Sequence, residues 1–81
     1  MLGRKKTIQV SLSAFGLAQQ HFQSGSYELK EGAKVKTLLR RASLPGDPPE
    51  LVYMIEGQRV KPSRKLRDGE DLKILHAAYG G

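Results

Sequence analysis

The chain has 81 residues, a formal net charge of +6 and no cysteine. A chain of this size folds as one domain with a small core, which leaves little room for a deep substrate cavity and a catalytic constellation. The lack of cysteine excludes a disulfide scaffold, a thiolate metal site and a cysteine nucleophile. The excess of cations favours an acidic partner: a nucleic acid, an anionic surface or an acidic protein.

The apolar residues also bear on location. No apolar run approaches the ~18–20 residues that a membrane-spanning helix needs. The basic start, residues 1–6, leads into an alternating stretch and not into a continuous apolar segment, so it does not resemble a signal peptide. We therefore expect a cytoplasmic protein without a membrane partner, with residues 1–6 as a flexible basic N-terminus.

Two strands are predicted in the first third of the chain. Residues 7–15 alternate between polar and apolar side chains, which indicates a half-buried strand. Its apolar positions are Ile8, Val10, Leu12 and Ala14. Residues 16–25 are ambiguous between a short helical turn and a loop. Tyr27 and Leu29 then alternate with polar residues, which predicts a second strand and an N-terminal hairpin.

A helix is predicted next. Val35, Leu38, Leu39 and Ala42 fall at i, i+3, i+4 and i+7, a stripe about three turns long. No Ser, Thr, Asp or Asn stands at the expected N-cap, and Lys34 is unfavourable near the positive end of the helix dipole. The helix should therefore depend on packing more than on capping. The Pro- and Gly-rich residues 45–49 end it.

The remaining strands follow the helix. Residues 51–56 are apolar on both faces, with Tyr53 expected in the core, which is typical of a central strand. A turn signal at residues 56–58 precedes a possible short strand, residues 59–61. The last strand is predicted at residues 71–75, with Leu72 and Ile74 facing inward.

The order of elements, β-β-α-β-(short β)-β, predicts an α+β fold. A single amphipathic helix cannot bury its apolar stripe alone, so it must lie on one face of a sheet. If the last strand pairs beside the first at the centre, the result is a β-grasp (ubiquitin-like) domain. We expect a mixed sheet of four to five strands over residues 1–81, with residues 77–81 as a flexible tail.

The tail ends in Gly80-Gly81 after an apolar strand pattern. Glycine has no Cβ, so a diglycine segment can extend through a channel too narrow for other residues. Two glycines bury almost nothing and lose much entropy when they are ordered. The ending is therefore either a frayed terminus or a carboxylate presented to another protein, and the residues upstream decide between the two.

Three upstream segments and the tail together resemble a known family. The segments are Glu31-Gly-Ala-Lys-Val-Lys-Thr-Leu-Leu39, Ile55-Glu-Gly-Gln-Arg-Val60 and Leu66-Arg-Asp-Gly-Glu-Asp-Leu-Lys-Ile74, followed by Gly80-Gly81. In this order the chain resembles the ubiquitin-like sulfur carriers. That family includes the small subunit of molybdopterin synthase and the sulfur carrier of thiamine biosynthesis. The chain departs from the family pattern at two places, Lys34 at the helix start and residues 76–79 before the glycines. These departures bear on which branch of the family the chain resembles.

The resemblance implies a function carried by Gly81. An adenylating enzyme of the ubiquitin-activating type would use ATP to convert the Gly81 carboxylate to an acyl-adenylate, and a sulfur donor would leave a thiocarboxylate. The chain itself would be a carrier and not an enzyme, with no bound cofactor. Its partners would be that enzyme and a sulfur-accepting synthase. The expected partner-binding residues are Gly80, Tyr79, Ala78, Arg59 and Lys61.

The receiving pathway and two other functions stay open. The length favours molybdenum or tungsten cofactor biosynthesis, where the acceptor is the molybdopterin synthase large subunit. Thiamine biosynthesis, where it is thiazole synthase, comes second. The alternative is a ubiquitin-like modifier joined to lysines. A basic RNA-binding β-grasp module is a distant third, because the cations are not interleaved with aromatic residues and the diglycine is left unexplained.

The two histidines and the serines carry less information. His21 and His76 lie far apart, without the spacing of a zinc site, so we expect ordinary surface or edge histidines and no metal. The serines lack the surroundings of a nucleophile, which argues against serine catalysis.

Overall fold

The structure, a computed structural model, describes residues 6–76. The diglycine tail and the first five residues lie outside this range. The strands are β1 (Thr7–Ala14), β2 (Gly25–Lys30), β3 (Leu51–Ile55), β4 (Gln58–Arg59) and β5 (Asp71–His76), and the helix is α1 (Val35–Ala42). The ambiguous stretch after β1 forms a short 3-10 helix, Gly16–Gln20, instead of a loop alone.

The five strands form one mixed sheet in the order β2-β1-β5-β3-β4. β1 and β2 form the predicted antiparallel hairpin, and β5 lies between β1 and β3. The pairing of β1 with β5 is parallel, whereas β3 pairs with β5 and with β4 in antiparallel fashion. The α+β prediction is confirmed: one helix packs on one face of a five-stranded mixed sheet, in the β-grasp arrangement.

The core lies between this sheet and α1. The alternating residues of β1 point into it, and β5 contributes Leu72 and Ile74, both completely buried. From the helix, Val35 and Leu38 are also completely buried, and they pack in the same cluster as the strand residues. Tyr53 of β3 packs against this cluster as predicted, and its partial burial raises the pKa of its hydroxyl. The period-two and period-3.6 patterns thus meet in one core.

α1 contains the whole predicted stripe, but it has fewer turns than predicted. α1 has eight residues, just over two turns and not three, because Ser43 already has extended backbone angles. No side chain caps its N-terminus. Instead, the N–H of Val35 donates to the carbonyl of Arg64 at 2.8 Å, and the N–H of Lys36 donates to that of Pro62 at 2.9 Å. None of the helices within residues 6–76 is long and apolar enough to span a membrane.

An ion pair holds the loop that leads into β5. Arg64 donates two hydrogen bonds to Glu70, at 2.6 and 2.9 Å, and the N–H of Arg67 donates to the same carboxylate at 2.8 Å. The paired guanidinium, followed by this N–H, lowers the pKa of Glu70 below its ordinary value of 4.5. Because the loop also supplies the carbonyls that satisfy the helix N-terminus, the pair stabilises the helix indirectly.

The lowered pKa makes this stabilisation depend on pH. A carboxyl group whose pKa is lower in the folded than in the unfolded state stabilises the fold fully at pH values above its unfolded-state pKa. This stabilisation is lost as the pH falls through the folded-state pKa. At pH 7, Glu70→Gln should lower the free energy of unfolding by about 1–2 kcal/mol, a modest value because Arg64 is partly exposed. The difference from the parent should shrink as the pH falls below 4.5, because the unfolded chain then takes up a proton that Glu70 in the folded protein still resists.

Urea denaturation between pH 7 and pH 3 measures this difference. The matched control is Glu28→Gln, which removes an exposed carboxylate on β2. The control should follow the parent protein at every pH. A Glu70→Gln penalty that stays constant down to pH 3 would contradict the assignment.

Candidate functional site

The face of the sheet opposite α1 is the candidate site. Within residues 6–76 no second layer covers it, so side chains that point away from the core meet solvent. The strand register places these positions in rows across the sheet. We call this surface the open face.

Apolar side chains cross the open face at the end where β5 finishes. Val52 of β3 lies directly opposite Leu75 of β5. On the other side of β5, the N–H of Phe15 donates to the carbonyl of Ile74 at 3.0 Å, which continues the β1–β5 pairing by one residue. Phe15 is extended and 43% exposed, and it falls on the same face as Leu75. Directly opposite side chains in paired strands lie about 4.5–5.5 Å apart at Cβ, so these residues form a continuous surface.

Met54 adds a fourth member one row further back on β3. We call Phe15, Val52, Met54 and Leu75 the apolar strip. Val52, Met54 and Leu75 are half-buried although no layer lies above them, because they shield one another. Leu17, at 46% exposed, stands in the 3-10 helix just beyond Phe15. Among the described residues Phe15 and Leu17 are the exposed large hydrophobic side chains, and both lie near the point where β5 ends.

Two cations flank the strip. Met54 lies opposite Lys73 of β5 on one side and opposite Arg59 of β4 on the other. Both cations are exposed. An apolar centre with charged groups at its border is the usual anatomy of a protein–protein interface. The sign of the border favours a partner with acidic residues around an apolar patch.

The middle of the open face is tied together by serines. Ser11 donates to Oδ1 of Asp71 at 2.7 Å, and Ser13 donates to the same oxygen at 3.1 Å. These bonds link β1 to β5 and hold the register of the parallel pair. Neither serine has a histidine beside it in these bonds, so the geometry matches a structural link and not a nucleophile with its base.

The described residues offer little space for a small ligand. A shallow depression of about 200 Å³ lies between β1 and the loop before β5, lined in part by Gln9, Ser26 and Asp68. Small-molecule sites usually measure about 300–1,000 Å³ and enclose their ligand. Within residues 6–76 no cluster of His, Asp and Glu side chains could hold a metal ion. The apolar strip with its cationic border has the character of a surface that binds a macromolecule.

The residues proposed from the sequence fall in three places. Arg59 lies on the open face opposite Met54, at the border of the apolar strip. Lys61 is exposed and lies beyond the end of β4, in the turn in which the N–H of Arg64 donates to its carbonyl. Ala78, Tyr79, Gly80 and Gly81 lie outside the described residues, and their roles stay predictions.

Sequence reasoning missed the apolar strip, although a signal was present. The apolar residues on both faces of β3 predict burial on both sides. The same sequence holds one amphipathic helix, which can cover only one face of a sheet. Together, these two facts leave Val52 and Met54 uncovered. The period-two pattern of residues 7–15 likewise puts Phe15 on the face opposite Ala14. Only its position beside Leu75 depends on the pairing of β1 with β5.

Comparison of the chain with protein-family models, with curated proteins and with solved structures found no match.

A pair of identical substitutions tests whether the strip is a surface or part of the core. Val52→Thr keeps the β-branched shape and puts its hydroxyl on the open face, so the free energy of unfolding should change by less than about 1 kcal/mol. Val10→Thr buries the same hydroxyl at a position 3% exposed. That change should lower stability by roughly 1–3 kcal/mol. Thermal unfolding of both variants measures the contrast, and equal losses would mean that Val52 is a core residue.

Proposed function

We propose that this protein is a sulfur carrier whose Gly81 carboxylate is adenylated by a partner enzyme and converted to a thiocarboxylate. The observation that carries the proposal is the position of β5. This strand lies in the centre of the sheet, and only residues 77–80 separate its end at His76 from Gly81. The apolar strip borders the same end of β5, so a partner that docks there has the start of the tail within reach.

The proposed reaction needs neither a cysteine nor a catalytic group from this chain. A carboxylate is a poor electrophile, and ATP in the partner's active site supplies AMP as a leaving group. A thiocarboxylate sulfur is a nucleophile at neutral pH, which serves sulfur transfer in a chain without cysteine. The proposal assigns proton transfer to the partner's active site. Glycine at positions 80 and 81 lets the backbone pass a narrow channel.

In this proposal the open face docks to the partner, and the tail takes part in the reaction. The apolar strip would contribute most of the binding free energy to the adenylating enzyme, and Arg59 and Lys73 would speed and orient the encounter with acidic residues around its docking site. Tyr79, Gly80 and Gly81 would enter the active site. The acceptor in this proposal is the large subunit of molybdopterin synthase, for the molybdenum or tungsten cofactor, with the thiazole synthase of thiamine biosynthesis second.

Intact-mass measurement tests the reaction. The purified protein, incubated with the adenylating enzyme of its host, ATP and a sulfur donor, should gain the mass of one oxygen-to-sulfur exchange. Gly81→Ala should keep the thermal unfolding curve of the parent and react at least tenfold more slowly, because the added methyl group obstructs the channel. A Gly81→Ala protein that reacts at the parental rate would contradict the proposal.

The same experiment separates the carrier from a modifier. Adducts to lysines in host lysate, detected with an antibody, without any mass gain of the free protein would favour a ubiquitin-like modifier. The intact mass of the protein isolated from its host shows in addition whether Gly81 carries a free carboxylate, which both functions require.

Docking is tested with variants of the strip. The double variant Val52→Thr/Leu75→Thr should raise the KM for the carrier in ATP–pyrophosphate exchange by about tenfold or more, since truncation at the centre of an interface commonly costs above 1 kcal/mol. The rate at saturating carrier should stay close to that of the parent protein. Glu28→Gln, on the open face but at β2, is the matched control and should leave both constants unchanged. An unchanged KM in the double variant would exclude the strip as the docking surface.

A further inference from the structure

A cationic surface lies on the helix side of the molecule, across the core from the open face. Its cations come from two segments that are far apart in the sequence. α1 and its N-cap contribute Lys34, Lys36, Arg40 and Arg41, and the loop before β5 contributes Lys65. We call these five residues the basic face. Residues 32–46 and 57–67, which include all five cations, hold no Asp or Glu, and the acids of the loop, Asp68 and Glu70, come after them.

Backbone pairing brings the two segments together. Lys34 and Lys65 lie directly opposite each other in an isolated antiparallel bridge. The N–H of Leu66 donates to the carbonyl of Ala33 at 2.8 Å on one side of this bridge, and the N–H of Val35 donates to that of Arg64 on the other. The position of Lys65 beside the helix start is therefore fixed by hydrogen bonds. The sequence alone does not reveal this juxtaposition.

Nothing in the described part of the chain neutralises these charges. Arg64 pairs with Glu70, but none of the five cations of the basic face forms an ion pair within residues 6–76. Lys36, Arg40, Arg41 and Lys65 are exposed, and Lys34 is half-exposed. Lys36 and Arg40 are neighbours at i, i+4 on the outer side of the helix, a spacing at which like charges repel.

The arrangement is unfavourable for the isolated fold in two further ways. Like charges directly opposite each other in a bridge destabilise it. Lys34 and Lys36 also stand at the N-terminus of α1, where the helix dipole favours anions. A bound polyanion would relieve all three repulsions at once. Charge complementarity therefore specifies an anionic occupant for this face.

The composition of the face distinguishes among anionic occupants. Protein interfaces have an apolar centre and are depleted in lysine, whereas the exposed large hydrophobics of residues 6–76 are Phe15 and Leu17, away from this face. Single-stranded nucleic acids are usually held by aromatic side chains that stack on the bases, and none of the residues of the basic face is aromatic. Cations alone suit the phosphates of a duplex, which are contacted without reading bases.

We propose that the basic face binds the phosphate backbone of a double-stranded nucleic acid without sequence preference. The site lies on the helix side of the core, whereas the apolar strip lies on the open face of the sheet. Binding there is therefore independent of the sulfur-carrier proposal and leaves the strip and the tail accessible. The wide spread of cations over α1 and the loop suits contact with several successive phosphates.

Fluorescence anisotropy of the full chain with a labelled RNA duplex, a DNA duplex and a single strand of equal length tests this. Either or both duplexes should bind, and the two arms show which backbone is preferred. The logarithm of affinity should fall linearly with the logarithm of the salt concentration. The triple variant Lys36→Gln/Arg40→Gln/Arg41→Gln should reduce duplex affinity at least tenfold at low salt, and it should make the salt slope about 2–3 units shallower.

The matched control removes the same charge elsewhere. Lys6→Gln/Lys30→Gln/Arg67→Gln takes away three exposed cations that do not belong to the basic face. It should change the affinity by only a few-fold, with a slope close to that of the parent protein. Thermal unfolding should show that the helix triple stays folded with a stability close to that of the parent, because the repulsion lost at Lys36 offsets the favourable dipole interaction lost at Arg40 and Arg41.

Three results would overturn the proposal. Equal losses in both triple variants would mean that net charge, and not this face, determines binding. Tighter binding of the single strand than of either duplex would contradict backbone recognition of a duplex. Displacement of the duplex by polyglutamate at an equal concentration of charges would identify an acidic protein as the occupant.

Discussion

The parallel pairing of β1 with β5 is the constraint on which the rest of the structure depends. It joins the first strand to the last and places Leu12 beside Leu72 and Ala14 beside Ile74 at the centre of the sheet. All four are buried. Because parallel strands cannot be joined by a tight turn, everything between them must cross over, and that crossover contains α1. The core closes only when the first and the last strand pair.

The same pairing determines what each face of the sheet can do. Residues of β1 and β5 that point inward are committed to the core, so the outward positions at the end of β5 remain available for contact. Ser11 and Ser13, bonded to Asp71, hold the register in the middle, which in turn keeps Phe15 beside Leu75. A slip of one residue would exchange the two faces and bury polar side chains. The apolar strip is thus as well defined as the core beneath it.

Some features of α1 could be predicted from the sequence and others could not. Its apolar stripe and its missing cap were readable, because both depend on local spacing. The end of α1 at Ala42 was not, since it depends on Ser43 taking an extended conformation before Pro45 is reached. Nor could the sequence reveal that carbonyls of Pro62 and Arg64 replace the cap. Those bonds join residues nearly thirty positions apart, and no local pattern encodes them.

The two candidate surfaces also depend partly on local sequence and partly on long-range pairing. Each member of the apolar strip is apolar in the sequence, and each cation of the basic face is visible there, but a surface exists only once register brings its members together. Arg59 and Lys61 are close neighbours in sequence, yet Arg59 borders the strip whereas Lys61 lies in the turn beside the helix start. Sequence proximity therefore grouped two residues that the fold assigns to different surroundings.

The cations around α1 are not placed as the stability of the fold alone would require. A fold selected for stability alone would place acids at the N-terminus of α1 and cations at its end. Here the end carries Arg40 and Arg41 as expected, but the start carries Lys34 and Lys36, with Lys65 opposite Lys34. The one well-formed ion pair, Arg64 with Glu70 in the described part, stabilises the loop that brings Lys65 there. The fold thus holds like charges together, an arrangement that an anionic partner explains and folding does not.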